Sequence, residues 1–352
     1  MKILIVVECH YKEYGGPFTA INQKIDYLNN NNIKTKLIFK KTDFHTFNTD
    51  LNYIIKDYDI VHIYGMWRPF LVHVFLLAKI HNKKVIISPI GTLEPWSLSQ
   101  KKYKKKIAWN LYQKKIMNKA DLIHATSNTE AKNLNNLRIN TKIRIIGHGI
   151  DIDRNYELKI KKNKFKKVIF FSRIHYKKGL LELIDSWNNV KNNEGWILEI
   201  FGPISDSDYL NKIKKKIKEL SLEKNIFYSG AVFSNSEKKK IFEDADGFIL
   251  PSKSENFGIS IGEALSYGLP VLTTFETPWK IINDYKAGFV FYFSRKEIET
   301  NLYNFFKLSD HERYEMGIKA IKLIKENFLS ESIFKKYENM YKELFNESFI
   351  NT

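Results

Sequence analysis

Short apolar runs alternate with stretches of helical period along almost the whole chain, and the alternation breaks once, near the middle. In the first half the runs fall at 3–7, 37–39, 60–64, 85–87, 122–125 and 143–146. Runs that are apolar at every position, rather than at every second one, suit strands buried on both faces, and the helical stretches between them supply the crossovers that parallel strands need. Gly147, His148, Gly149, Ile150 and Asp151 then interrupt the pattern, and 159–167 is too charged to enter a core. The alternation restarts at 168–172, 196–201, 226–228, 247–250, 271–273 and 289–291. Two α/β halves follow, each a doubly wound parallel sheet. One core rarely spans 352 residues, so the length also argues for two domains. The expected division is 1–155 and 156–330, with 331–352 as a closing, aromatic-rich amphipathic helix.

Composition narrows the class further. The single Cys9 rules out an internal disulfide and fits a reducing compartment. The apolar run after Met1 stops at Glu8, too short for a secretory signal, and no run approaches the roughly 18–20 apolar residues of a membrane span. A cytoplasmic protein, soluble or peripheral, is expected. The net charge of +18 favours an anionic partner, although a lysine-biased composition accounts for part of it. The stretch from Gln100 to Lys119 carries eight lysines, from Lys101 onward, and no acid. Its Tyr103, Ile107, Leu111 and Tyr112 fall at helical spacing, which reads as a basic amphipathic helix: a solvated surface helix, or one suited to an anionic membrane face.

Chemistry concentrates at 254–272. The apolar run ending at Leu250 and Pro251 precedes a loop with Glu255 and Asn256, and a helix follows Gly258 until Gly268 and Pro270 stop it. Backbone N–H groups from about Phe257 through Gly258 and Ile259 to Ser260 then point out of a helix start, which attracts anions. Glu263 falls in the first turns of an apolar helix and needs donors, which vicinal ribose hydroxyls or a neighbouring lysine would supply. Arg173 and Lys178 follow the run 168–172, at a strand's carboxyl end where open α/β sheets bind ligands. Gly15 and Gly16 follow the first strand and allow backbone to approach a ligand closely.

These motifs together resemble retaining glycosyltransferases of family 4, which have the GT-B fold: two Rossmann-like domains facing a central cleft. The spacing of Glu255 and Glu263 is similar to that family's E-x7-E element, and Arg173 with Lys178-Gly179 to its G-R-x4-K-G element, with Ser172 in place of the usual glycine. Ser88-Pro-Ile-Gly-Thr-Leu-Glu-Pro-Trp96 is similar to an S-P-x-G-x-L-E-P-W segment of bacterial polysaccharide-type relatives, many of which carry His or Arg where this chain has Ile90. The resemblance implies that Glu255 and the amides after it hold the donor sugar, Glu263 the ribose, and Arg173 and Lys178 the diphosphate, with the Gly15-Gly16 loop facing the same phosphates. The implied donor is a UDP- or GDP-sugar, and the acceptor a glycan or lipid-linked glycan. The implied terminal helix crosses back to the first domain. No other cofactor is expected.

Residue types leave few other assignments. No G-x-G-x-x-G or P-loop pattern occurs, against dinucleotide oxidoreductases and P-loop enzymes. No His/Cys cluster has zinc spacing, Asp151 and Asp153 sit in the presumed linker, and the Asp-x-Asp pairs at 206/208 and 244/246 lack oxygen-rich neighbours, so no metal site is expected. His10, His62 and His148 could stand in for the group missing at Ile90, but isolated strand histidines are more often satisfied core residues. Trp67 reads as a stacking group or as packing. A sugar-nucleotide epimerase or hydrolase on the same fold is the competing enzyme class. No nucleic-acid-binding motif accompanies the lysines, so no nucleic acid is expected.

Overall fold

The computed structural model describes residues 1–7, 16–39, 44–153, 156–161, 165–190 and 193–350. Two compact units account for them: Met1–Gly149 with Ser330–Thr352, and Ile150–Leu329.

In the first unit the order is β1 (Lys2–Val7), α1 (Gly16–Asn30), β2 (Lys34–Phe39), α2 (Phe44–Lys56), β3 (Ile60–Tyr64), α3 (Pro69–Ile80), β4 (Lys84–Ser88), α4 (Pro95–Ser99), α5 (Lys102–Ala108), α6 (Lys114–Lys119), β5 (Leu122–Ala125), α7 (Asn128–Asn136) and β6 (Ile143–Ile145). The strands form a parallel sheet in the order β2-β1-β3-β4-β5-β6. In β1 and β3 almost every side chain is buried, as all-apolar strands covered on both faces require.

The second unit repeats the plan with β7 (Lys166–Phe171), α8 (Leu180–Asn189), β8 (Trp196–Phe201), α9 (Ser207–Glu219), β9 (Ile226–Gly230), α10 (Asn235–Asp244), β10 (Gly247–Leu250), α11 (Ile259–Ser266), β11 (Val271–Thr274), α12 (Ile281–Tyr285), β12 (Gly288–Phe291), α13 (Arg295–Phe306) and α14 (Asp310–Asn327). Its parallel sheet runs β12-β11-β10-β7-β8-β9. Side-chain caps set several helix starts: Asp206 accepts from the Tyr209 N–H, and Ser309 with Glu312 forms a reciprocal capping box.

The last helix, α15 (Ser330–Ile350), belongs to the first unit. Its Ile333, Phe334, Tyr337, Met340, Tyr341 and Leu344 share one core with Ile3, Ile5, Ile60 and Ile86 of the sheet. Spacings of three and four put these residues on one helical face, which the strands bury.

The stretch from Gln100 to Lys119 departs from the single amphipathic helix expected. A π-helical turn at Trp109–Gln113 separates α5 from α6. Such a turn holds an extra residue and rotates the face that follows. Ile116, Met117 and, in part, Trp109 and Tyr112 pack on the core, whereas Tyr103, Ile107 and Leu111 stand out of it. No helix among the described residues is long and apolar enough to cross a membrane.

Candidate functional site

The second sheet places β7 beside β10, while the helices after them leave in opposite directions, α8 towards β8 and α11 towards β11. That switch, outside the carboxyl ends of the strands, is the usual ligand position in an open α/β sheet. Lys178 follows β7, Glu255 follows β10, and their side chains form an ion pair in which each is 11% exposed. The Ser252 hydroxyl donates to the same Glu255 oxygen at 2.8 Å. A backbone bond from Lys253 N–H to Lys177 O, 2.7 Å, stitches the two loops together. Gly179 makes the closeness affordable: its φ is +71°, and a Cβ there would lie 2.2 Å from the Pro251 carbonyl oxygen. Burial pushes the Glu255 carboxyl up, and the Lys178 ammonium draws it down further, so it stays below the ordinary carboxylate range and ionised at neutral pH.

Arg173 is exposed and makes no ion pair or hydrogen bond among the described residues. Burial, then Arg173, Lys177 and Lys178, hold the His175 imidazole below its usual value. His175 is therefore neutral, and its Nδ1 accepts from the Lys177 N–H at 3.2 Å. The loop thus gathers three cations around His175, two of which, Lys177 and Lys178, also act on the Glu255 carboxylate, and such an excess of positive charge suits a diphosphate.

The start of α11 lies beside Glu255, whose Cγ is 3.7 Å from where a Cβ on Gly258 would stand. Gly258 caps it in the left-handed region at φ +79°, where a Cβ would come within 3.1 Å of Ile261. The N–H groups of Ile259 and Ser260, at the first two helical positions, have no carbonyl one turn back. The Phe257 ring is buried edge-on against Trp279 and Phe328, and the Trp279 indole donates to its carbonyl at 2.5 Å. Asn256 is half-buried in the loop before it. Glu263 is 24% exposed and pairs with Lys238 of α10 at 2.5 Å. Of the two donors the sequence left open for Glu263, ribose hydroxyls or a lysine, the lysine is the one in place.

The first unit presents a different kind of centre. Gly15 and His10 lie outside the described residues, and Gly16 opens α1. Two bulky residues occupy the left-handed region after adjacent strands, Trp67 (φ +72°) after β3 and Ile90 (φ +49°) after β4. For a β-branched residue that is an unfavourable backbone, which persists only where the surroundings hold it. Glu130 holds this one: its carboxylate accepts from the Gly91 N–H at 2.7 Å and from the Thr126 N–H and hydroxyl at 2.8 and 2.9 Å.

Beneath these loops His62 is a satisfied core residue, its Nδ1 meeting the Tyr341 hydroxyl at 2.6 Å and its Nε2 the Ser88 hydroxyl at 2.7 Å. Ser88 continues to His124 Nδ1 at 2.6 Å, and His124 Nε2 to the Ile146 carbonyl at 2.8 Å. Lys24 of α1, buried, donates to the Tyr64 hydroxyl and stands over the rings of Tyr64 and Tyr337 at 4.6 Å each. Desolvation alone brings its ammonium down to about 7, and chiefly the same cause brings His148 to about 4. Lys24, Tyr64, His148 and Tyr337 line a cavity of about 10 Å³, room for one water. Periodicity gave no sign of this network, because each member alone looks like an ordinary strand or helix residue.

Among the described residues, no group of three or more His, Cys, Asp or Glu side chains could hold a metal ion. The sequence model described as Glycosyl transferases group 1 matches residues 151–323, and that described as Glycosyltransferase Family 4 matches 36–154. A Klebsiella pneumoniae protein described as an uncharacterized 41.2 kDa protein in the cps region is 30% identical over 61% of this chain and 60% of its own length. An alpha-monoglucosyldiacylglycerol synthase of Streptococcus pneumoniae is 23% identical over 55% and 47%. The chain thus spans about half to three-fifths of these relatives. The crystal structure of Anabaena HepE in complex with UDP and glucose superposes with a TM-score of 0.78 over 97% of this chain and all of that one, at 17% identity, which bears on the fold. With both halves matched and two parallel-sheet units of that architecture, the chain belongs to glycosyltransferase family 4, with the GT-B fold.

Proposed function

We propose that the protein transfers a sugar from a UDP- or GDP-sugar to a glycan or lipid-linked glycan, retaining the anomeric configuration, in the assembly of a cell-surface polysaccharide such as O-antigen, capsule or lipopolysaccharide. The observation that carries this reading is the Lys178–Glu255 pair at the strand switch, beside Arg173 and the open start of α11. The relative encoded in a cps region and the neighbour solved with UDP and glucose point the same way.

In this reading the diphosphate takes over Lys178 and Arg173, and the Glu255 carboxylate turns to the hydroxyls of the donor sugar. The Ile259 and Ser260 amides face a phosphate, and Glu263 takes the ribose hydroxyls. The bond from the anomeric carbon to the phosphate oxygen breaks as the bond to the acceptor oxygen forms on the same face, and the acceptor's proton passes to the leaving phosphate. No protein base is needed, and fixed cations supply the charge stabilisation that a metal would otherwise give. The protein would work in the cytoplasm, attached to the inner membrane face through the region between Lys101 and Lys119, without binding nucleic acid.

Calorimetry with UDP and GDP tests the assignment. Glu263→Ala should weaken the preferred nucleotide about tenfold, and an unchanged affinity would count against the ribose role. Product analysis with and without acceptor separates transfer from epimerisation or hydrolysis.

A further inference from the structure

Lys238 and Glu263 leave complementary hydrogen-bonding capacity open side by side. The Lys238 ammonium holds Glu263 Oε1 at 2.5 Å. Among the described residues nothing meets Glu263 Oε2, and the other two ammonium hydrogens of Lys238 have no acceptor. Both side chains are about a quarter exposed, 25% and 24%, so a ligand can reach the open atoms without breaking the pair. Neither helix needs this lysine. It lies in the first turn of α10, behind the Ser234 cap, where its N–H donates to the Ser234 carbonyl at 2.9 Å and where the helix dipole disfavours a cation. An ion pair that water reaches contributes little in return. The two lysines that follow are placed differently: Lys239 pairs with Asp153 and Glu243, and Lys240 stands exposed.

One acceptor oxygen beside two donor hydrogens matches a pair of vicinal hydroxyls, since each hydroxyl gives one hydrogen and can accept another. One hydroxyl donates to Glu263 Oε2 while its neighbour accepts from Lys238 Nζ. A phosphate in the same place would satisfy the ammonium but meet repulsion from the carboxylate. Position along α11 favours the diol too. Ile259 and Glu263 are four residues apart and share a side of the helix. The pair therefore stands one turn, about 5.4 Å, from the open Ile259 and Ser260 amides, and a nucleotide with a phosphate on those amides would bring its ribose to the pair.

We infer that Lys238 is a specificity residue for the donor nucleotide: it reads the ribose diol together with Glu263 and makes the site reject nucleotides that lack one of the two hydroxyls. A site built to hydrogen-bond a hydroxyl discriminates against the analogue without it because its own polar groups are then left unpaired. The inference rests on the nucleotide-sugar reading and adds to it a residue and a selectivity.

Calorimetry of the full chain with UDP and GDP, and with the 2′-deoxy and 3′-deoxy analogues of each, tests it. The wild type should bind either analogue of its preferred nucleotide at least tenfold more weakly than the nucleotide itself. K238M should weaken the intact nucleotide about fivefold and shrink its preference over one of the two analogues to about twofold. K238R should keep both the affinity and the preference, and K240M should match the wild type. An equal loss for intact and deoxy nucleotides in K238M would put the ammonium on a phosphate and overturn the inference. Tighter binding by K238M would make the lysine a competitor of the ribose and overturn it as well. So would unchanged affinities with a lower urea midpoint, which would leave the pair as a tie between α10 and α11. In each of these cases the nucleotide-sugar reading survives. A wild type that binds neither UDP nor GDP would overturn that reading, and the inference with it.

Discussion

Two lysines divide the chemistry of this molecule between them. Lys178 and Lys24 each stand near the strand switch of a parallel six-stranded sheet, in the second and first units respectively. Lys178 faces a carboxylate that it keeps ionised. Lys24 is more deeply buried, meets a tyrosine hydroxyl and two aromatic faces, and hydrogen-bonds to no carboxylate among the described residues. Similar sheets therefore carry opposite electrostatics. One switch stores charge that an anionic ligand can redirect, while the other sheds charge and spends its polar groups on holding α15 to the strands.

The sharpest way to break that contrast is to remove each lysine in turn. Lys178→Ala should lower transfer about 10²–10³-fold, the usual cost of losing one preorganised charge partner of a transition state. It should also lower stability, because Glu255 would keep its charge with its partner gone. Adding Glu255→Ala should recover much of that stability and none of the turnover, which rate measurements alongside urea unfolding would separate. Lys24→Met should leave turnover within a few-fold of wild type. A loss as large as that of Lys178→Ala would end the contrast.

The second difference is one of pH. Lys24 has a folded value of about 7 against an ordinary 10.5, so between these limits the unfolded chain holds a proton that the folded chain lacks. Stability should then rise with pH across that window, by roughly 2–4 kcal/mol once the two ring contacts are set against desolvation. Lys24→Met should flatten the window and raise stability at pH 7, as replacing a buried charge with an apolar group often does. Glu255 acts on the acid side: its depressed carboxyl contributes stability that is present above the ordinary carboxylate value and lost as pH falls below it. His124 and His148, lowered to about 3 and about 4, add a loss as pH falls below 6.5. Urea unfolding at pH 5, 7, 8.5 and 10 would show whether the alkaline rise belongs to Lys24.

The described strands were legible from sequence through their apolar runs, which a central strand such as β3 carries with every residue buried and edge strands such as β2 carry only in part. Their starts were not, since Lys34, Lys84 and Lys166 begin strands with polar residues that β propensity and apolar runs do not flag. Arg173, Lys178, Glu255 and Glu263 were legible as site candidates through their loop positions and spacing. Their pairings were not, because Lys178 meets Glu255 only once β7 adjoins β10, and Lys238 meets Glu263 only once α10 and α11 pack. The π-helical turn between the outward Tyr103 and Ile107 of α5 and the buried Ile116 and Met117 of α6 leaves no composition signal either. Long-range adjacency, more than local preference, separates what the chain announces from what folding assembles.

The finest distinction lies inside the buried network of the first unit, where a backbone carbonyl fixes the direction of every hydrogen bond. The Ile146 carbonyl only accepts, so His124 carries its proton on Nε2, and as a neutral ring it leaves Nδ1 bare. Ser88 must donate to that nitrogen and accept from His62 Nε2. His62, held well below its usual value by burial, is neutral too, so its Nδ1 accepts from the Tyr341 hydroxyl. The Tyr64 hydroxyl, at the edge of this network, accepts from Lys24. Tyr341→Phe removes the donor to the buried His62 Nδ1 and should cost about 1–3 kcal/mol. Tyr337 only shares the Ile146 carbonyl and the edge of His124, at 3.4 and 3.0 Å. Tyr337→Phe should therefore cost less, about 0.5–1 kcal/mol. Paired urea titrations of the two variants decide the matter: a larger loss for Tyr337→Phe would mean that the chain runs the other way.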